Sequence, residues 1–309
     1  IITVFSLGTL GYMCLEKIVM GTGKTTITMM CQLAGAITNI ILDPIMIYGL
    51  FGCPAMGVAG AAWATVIGQF VSLIVIAVVF FKKGVGIEVR FRYLKPEGQT
   101  LGSIYSIGLP AIVMQILTPI MSYALNLILG AISVSAVTAY GVYYKLQNFI
   151  FMPGYGLNNA SIPIISYNFG AKNKARVSQT IRYGLIYVSV IMLIGIILLQ
   201  LFARQIVGIF SVTEESHQLC VLALRIITCG FFFAGANIIL QGVCQALGKG
   251  GYSLIISLLR FVVLALPLAW ALSLMENAAN LVWLSLPVAE AGACLVAVLL
   301  TKKTYRKAI

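Results

Sequence analysis

The chain has 309 residues, of which 61% are hydrophobic and 9% charged, against about 45–50% apolar and about 25% charged in a soluble domain. That balance excludes a water-soluble fold and fits an all-α polytopic membrane protein. The formal net charge of +12 would suit nucleic acid if the basic residues shared one soluble face, but they sit in short segments between apolar runs, and no nucleic-acid partner is expected.

A bilayer core of about 30 Å needs about 20 mainly apolar residues per crossing helix. Nine such stretches follow in chain order: 1–19, 28–51, 57–81, 104–131, 134–165, 182–202, 217–240, 254–274 and 281–300. The chain starts at Ile1 inside an apolar run, with no basic leader and no small-residue cleavage site, so the expectation is a fragment rather than a signal peptide. Seven cysteines lie in apolar segments without paired spacing, which disfavours disulfide and zinc frameworks.

The basic residues orient the chain. With the turn at 21–26 placed in the cytoplasm, alternate loops receive fifteen of the twenty Lys and Arg, as the positive-inside rule requires. The C-terminus is then cytoplasmic and the N-terminus external. The longest polar stretch, FKKGVGIEVRFRYLKPEGQT, separates three spans from six. The expected organisation is therefore 1–81, a basic cytoplasmic linker at 82–103, and 104–309. A weak repeat aligns EKIVMGTGKTTITMM with QGVCQALGKGGYSLII, matching Gly23-Lys24 to Gly248-Lys249 at an offset of 225 residues. A half-protein repeat of that length implies twelve helices in two parallel six-helix halves, three of them before Ile1.

Few residues carry chemistry. GTGKTT resembles the end of a phosphate-binding loop, but the full pattern needs Gly where Ile18 stands, and a strand before it rather than an apolar span. Asp43 is a lone carboxylate in AITNIILDPIMIYGLF, and an acid at that depth normally faces a cavity and marks an ion or substrate path. Asn39, four residues earlier, shares its helix face, and the pair forms an oxygen-rich patch that can hold a sodium ion or exchange a proton. Pro44 removes the next backbone donor, which can kink the helix and free a carbonyl, so it is a candidate hinge. Glu290 is a second acid near mid-span and Lys145 a cation in the fifth apolar stretch; the two are read as a second coupling site or as a pair balancing each other's charge. Arg225 and Arg260 are read as snorkelling from span ends. Gln115, Ser122, Tyr123, Asn126 and Asn237 are candidate cavity-lining groups. FIFMPGYGLNNASIPIISYNFG mixes proline, glycine and asparagine into a span, making Pro153 a candidate hinge. Methionine and aromatic side chains suit bulky organic cations.

NIILDPIMIYG, GVAGAAWATVIGQ and AYGVYYKLQNFIFMPGYGLNNASIPIISYNFGAKNKARV together resemble the multidrug and toxic compound extrusion (MATE) transporters, bacterial branch, over essentially the whole chain. The resemblance implies a V-shaped bundle of two six-helix lobes, of which this chain would carry the family's fourth to twelfth helices, with 1–81 closing the first lobe. It implies export of small organic cations in exchange for sodium or protons across the bacterial plasma membrane. It implies no enzymatic activity, no cofactor and no obligate protein partner. In members with an N-lobe cation site, an Asn-x-x-x-Asp pair matches Asn39 and Asp43, and a Thr on the next helix matches Thr65. Acids that some members carry on the seventh and tenth helices are replaced by Gln115 and Asn237, which favours coupling in the first lobe. The alternatives are a lipid-linked oligosaccharide flippase of the same superfamily, whose cavity needs cations for pyrophosphate, and a non-transporting membrane scaffold.

Overall fold

The computed structural model describes residues 1–82 and 97–308, so the linker residues Lys83, Arg90, Arg92 and Lys95 lie outside the described part. It divides into two compact units, Ile1–Lys95 and Pro96–Ile309, and every long element is helical.

The first unit holds α1 (Leu7–Gly21), α2 (Thr25–Tyr48) and α3 (Val58–Lys82). Its packing follows from a seam of small residues. Gly60, Ala64, Gly68 and Ser72 recur every four residues on α3 and are all buried, so they form one stripe. Opposite them on α2 is Gly35, also buried. A Cβ on Gly68 would stand 2.7 Å from the Gly35 carbonyl oxygen and 3.2 Å from the Asn39 Cβ. Lipid supplies no hydrophobic drive between helices, so backbone approach of this kind is what holds them together. Gly68→Val is therefore expected to lower stability by about 1–3 kcal/mol through overpacking, read as a lower thermal midpoint in detergent. Gly21→Ala, where an added Cβ meets nothing within 4 Å, should leave the midpoint unchanged. Thr9 ties α1 to α3 by donating to Gln69 Oε1 at 2.5 Å.

The turns between helices obey local chemistry. Gly23 ends α1 at φ +82°, Gly248 ends a later helix at φ +73°, and each is followed by a lysine with ψ near 50° that opens the next helix. Positive φ favours glycine, so the two Gly-Lys pairs share one backbone geometry for the same steric reason.

The second unit runs through α4 (Gly98–Ile132), α5 (Val134–Gly170), α6 (Lys174–Gly208), α7 (Glu214–Thr228), α8 (Phe231–Ala246) and α9 (Gly250–Leu258). A π-helical segment (Leu259–Ala265) leads into α10 (Leu266–Ser273), followed by the short α11 (Ala278–Leu281) and α12 (Ser285–Ala308). The core gathers Phe151, Val188, Met192, Leu224, Phe231 and Trp283, with the Phe151 and Phe231 rings edge to face at 4.9 Å. Thr213 caps α7 by accepting from Ser216 N.

Each of the nine apolar stretches contains helix, the first only from Leu7, but among the described residues six helices are long and apolar enough to cross a membrane, or seven counting α7 and α8 together. α1 is short at 15 residues. The stretch at 217–240, expected as one continuous helix, is bent by 50° between Thr228 and Phe231. The reason is local: Gly230 packs so closely on Pro287 that an added Cβ would lie 2.7 Å from the proline Cα. α4 also starts earlier than the span expected at 104–131. The stretch at 254–274 contains a wider π turn, which ends just before Pro267, a residue with no N–H to offer the helix.

Candidate functional site

In the first unit, α2 and α3 bring Asn39, Asp43 and Thr65 together. Asn39 Nδ2 lies 3.4 Å from Asp43 Oδ1 and 3.4 Å from Thr65 Oγ1. Both distances are long for hydrogen bonds, so the amide is loosely held and a half-turn of it presents Oδ1 instead. The Thr65 hydroxyl donates to the Ala61 carbonyl at 2.9 Å, which leaves its lone pairs for the space beside Asn39. All three side chains are half-buried. Helical spacing sets Asn39 over Asp43, and the glycine seam at Gly35 and Gly68 brings α3 close enough for Thr65 to complete the cluster. Pro44 sits inside α2 without interrupting it; lacking an N–H, it leaves the Ile40 carbonyl without its usual donor. A carboxylate, a hydroxyl, an amide oxygen and a released carbonyl on neighbouring turns are hard oxygen ligands suited to an alkali cation or a proton.

In the second unit, Glu290 pairs with Arg260 rather than with Lys145. Arg260 Nε donates to Glu290 Oε1 at 2.7 Å, and Nη2 donates to the same oxygen. The other oxygen, Oε2, accepts from Asn237 Nδ2 at 2.9 Å. The two charged side chains are 7% and 15% exposed, so Arg260 is buried and does not snorkel. The physical reason is the π turn, which carries Arg260 inward toward α12. Lys145 is exposed, with its Nζ 5.7 Å above the Phe210 ring. The expected Glu290–Lys145 pair is thus replaced by Glu290–Arg260.

Next to this pair, a cavity of about 400 Å³ opens between α4, α5, α8 and the π segment, lined among others by Gln115, Tyr155, Asn158, Asn159, Gln241 and Gln245. Of the expected lining residues, Gln115 is there. Ser122 instead joins two helices, with Tyr140 of α5 donating to its Oγ at 3.3 Å, and Asn126 Nδ2 donates back within α4 to the Ser122 carbonyl at 2.9 Å. Tyr123 is 68% exposed and Asn237 fully buried, so neither lines this cavity. Pro153 lies within the unbroken α5. Sequence reasoning missed Gln241 and Gln245, although Asn237, Gln241 and Gln245 recur every four residues in an apolar segment and make one carboxamide stripe on α8.

The Gly23-Lys24 turn closes α1, with Thr22 Oγ1 donating to the Val19 carbonyl at 2.7 Å.

Comparison with known proteins gives a consistent result. A family model described as MatE matches residues 110–271. The multidrug export protein MepA of Staphylococcus aureus (strain MSSA476) is 28% identical over 289 residues, 94% of this chain and 62% of the relative. MepA of Staphylococcus saprophyticus is 29% identical over the same shares. The chain thus spans about three-fifths of the length of the curated relatives it matches. Among solved structures, MATE in the bent conformation aligns with a TM-score of 0.88 at 22% identity, covering 99% of this chain and 67% of that one. An outward-facing multidrug resistance MATE family transporter of the MOP superfamily aligns with a TM-score of 0.84 at 23% identity, covering 91% and 62%. At these identities the structural likeness concerns the fold.

Proposed function

The chain belongs to the MatE family, and from that premise we propose that it works in a secondary antiporter that exports small organic, mainly cationic compounds in exchange for sodium or protons. The observation that carries this reading is the cluster of Asn39, Asp43 and Thr65 inside a largely apolar helix pair. An ionisable group within a membrane span is costly unless it serves a path, and three oxygen-bearing side chains that meet across two helices form a site whose ligands move if those helices move. Coupling then requires only that the ion bind the two access states unequally.

The nine helical stretches make up the last three helices of a first lobe (1–81) and a six-helix second lobe (104–309) of a twelve-helix bundle, joined by the basic segment at 82–103. The matching Gly-Lys turns at 23–24 and 248–249 support a half-protein repeat. The protein is multi-pass, resident in a bacterial plasma membrane, with a cytoplasmic C-terminus. Coupling belongs in the first lobe, since Glu290, an acid deep in the second, is already neutralised by Arg260 and hydrogen-bonded by Asn237.

The same pair weakens the flippase alternative. A pyrophosphate cavity needs uncompensated cations, and of the two candidates Arg260 is spent on Glu290 while Lys145 lies over Phe210. Export is tested in proteoliposomes loaded with ethidium under an imposed sodium or proton gradient. Gradient-dependent ethidium flux is the expected result; movement of a lipid-linked oligosaccharide without ethidium flux, or no flux of either, would overturn it. In the same assay, Asn39→Ala removes one ligand and one orienting amide, and is expected to raise the half-saturating ion concentration about tenfold, the worth of one hydrogen bond to a charged group, while maximal flux persists.

A further inference from the structure

We propose that the groove between α6, α8 and α12 is a binding site for one anionic phospholipid of the cytoplasmic leaflet. The groove encloses about 730 Å³ and is two-sided in character along its length. At one end stand Arg182, Lys302 and Tyr305; toward the other the walls are Leu185, Phe232 and Leu240. No carboxylate lines it, and neither basic group is in an ion pair among the described residues.

Three features select the occupant. First, charge: two cations with a phenol and the hydroxyls of Ser178 and Thr301 nearby make a mouth that accepts a phosphodiester and offers nothing to a zwitterion's ammonium. Second, length: the lining on α6 runs from Ser178 to Ser189, about 16 Å at about 1.5 Å per residue, enough for most of one acyl chain. Third, depth: Lys302 and Arg182 belong to the two basic clusters, at 302–307 and 172–182, which the charge distribution of the loops puts on the cytoplasmic side, where anionic lipids concentrate and basic pockets between helices take their headgroups. An apolar slot ending in a positive mouth at the interface matches an anionic lipid and not a soluble metabolite. Such a lipid would bridge three helices, two of which contribute Val188 of α6 and Ile239 of α8 to the core.

The site is tested by native mass spectrometry of the purified full chain titrated with palmitoyl-oleoyl phosphatidylglycerol, with phosphatidylcholine of the same chains, and with glycerophosphoglycerol, which has the headgroup and no tails. Two basic groups near the surface give an expected preference for phosphatidylglycerol over phosphatidylcholine of about thirtyfold. The double substitution Arg182→Gln with Lys302→Gln should reduce that preference to below about threefold while phosphatidylcholine still binds, which reports that the groove is intact. Ala236→Phe, which fills the apolar end, should weaken both lipids. Equal affinity for the two lipids overturns the proposal, as does a preference that survives the double substitution. Glycerophosphoglycerol binding as tightly as phosphatidylglycerol also overturns it, because the tails would then contribute nothing.

Discussion

Asp43→Asn is expected to abolish ion-driven export while leaving membrane insertion and protein yield unchanged. The substitution keeps the shape of the side chain and can keep its contact with Asn39, so the packing of α2 on α3, which rests on Gly35, Gly68 and Ser72, is untouched. What it removes is the only formal charge in the cluster. A unit charge pair at 4 Å is worth about 4 kcal/mol at an effective dielectric of about 20, which is about a thousandfold in ion affinity. An ion bound a thousandfold more weakly cannot bias the two access states at ordinary concentrations. Cells expressing the variant should be as sensitive to exported compounds as cells without the transporter, with the protein present in the membrane by immunoblot.

The second large effect concerns folding rather than coupling. Arg260→Met leaves the Glu290 carboxylate buried with only Asn237 to satisfy it, and an uncompensated buried charge costs about 3–5 kcal/mol. Glu290→Met strands Arg260 in the same way. Either single variant should show low yield and a depressed thermal midpoint in detergent. The double variant Arg260→Met with Glu290→Met removes both charges and fills the space with apolar volume, and should recover most of the midpoint, because a buried ion pair is often no better than a well-packed apolar pair. The double variant also separates the two roles expected of Glu290: a structural pair predicts ion-driven flux close to that of the unsubstituted protein, whereas a second coupling carboxylate predicts its loss. The arrangement favours the structural role, since both carboxylate oxygens are already engaged, one by Arg260 and one by Asn237.

The two sites differ in how far they could be read from the residues. Asn39 and Asp43 were legible because a four-residue spacing on one helix fixes their neighbourhood whatever the helix packs against. Thr65 was not derivable from periodicity; it came from the family pattern, and its proximity depends on the small-residue stripe of α3, which lets two backbones close to contact. The Glu290–Arg260 pair was misread because the partners are thirty residues apart and because the inward aim of Arg260 depends on a π turn, a local widening that hydropathy does not register. Charge and depth alone point to Lys145, and neither fixes which way a side chain faces. The break between α7 and α8 was hidden for a similar reason: Cys229 and Gly230 are compatible with an apolar span, and only the fit of Gly230 on Pro287 shows why the chain bends there. The carboxamide stripe Asn237, Gln241 and Gln245 is present in the spacing, but uncharged amides in a span serve as readily to tie helices together as to line a cavity. In α5 the candidate hinge at Pro153 and Gly154 lies within a helix assigned from Val134 to Gly170, where proline leaves no break for a sequence to mark.

The central claim is that the Asp43 cluster converts an ion gradient into export, and the most direct test separates coupling from binding in one preparation. Proteoliposomes carrying the Asp43→Asn variant would be assayed for ethidium movement driven by a sodium or proton gradient, and for ethidium exchange between equal concentrations with no gradient. The account predicts that gradient-driven movement disappears while exchange persists, because the organic-compound cavity is intact and only the ion's hold on the conformational equilibrium is lost. Gradient-driven movement at the unsubstituted rate would contradict it.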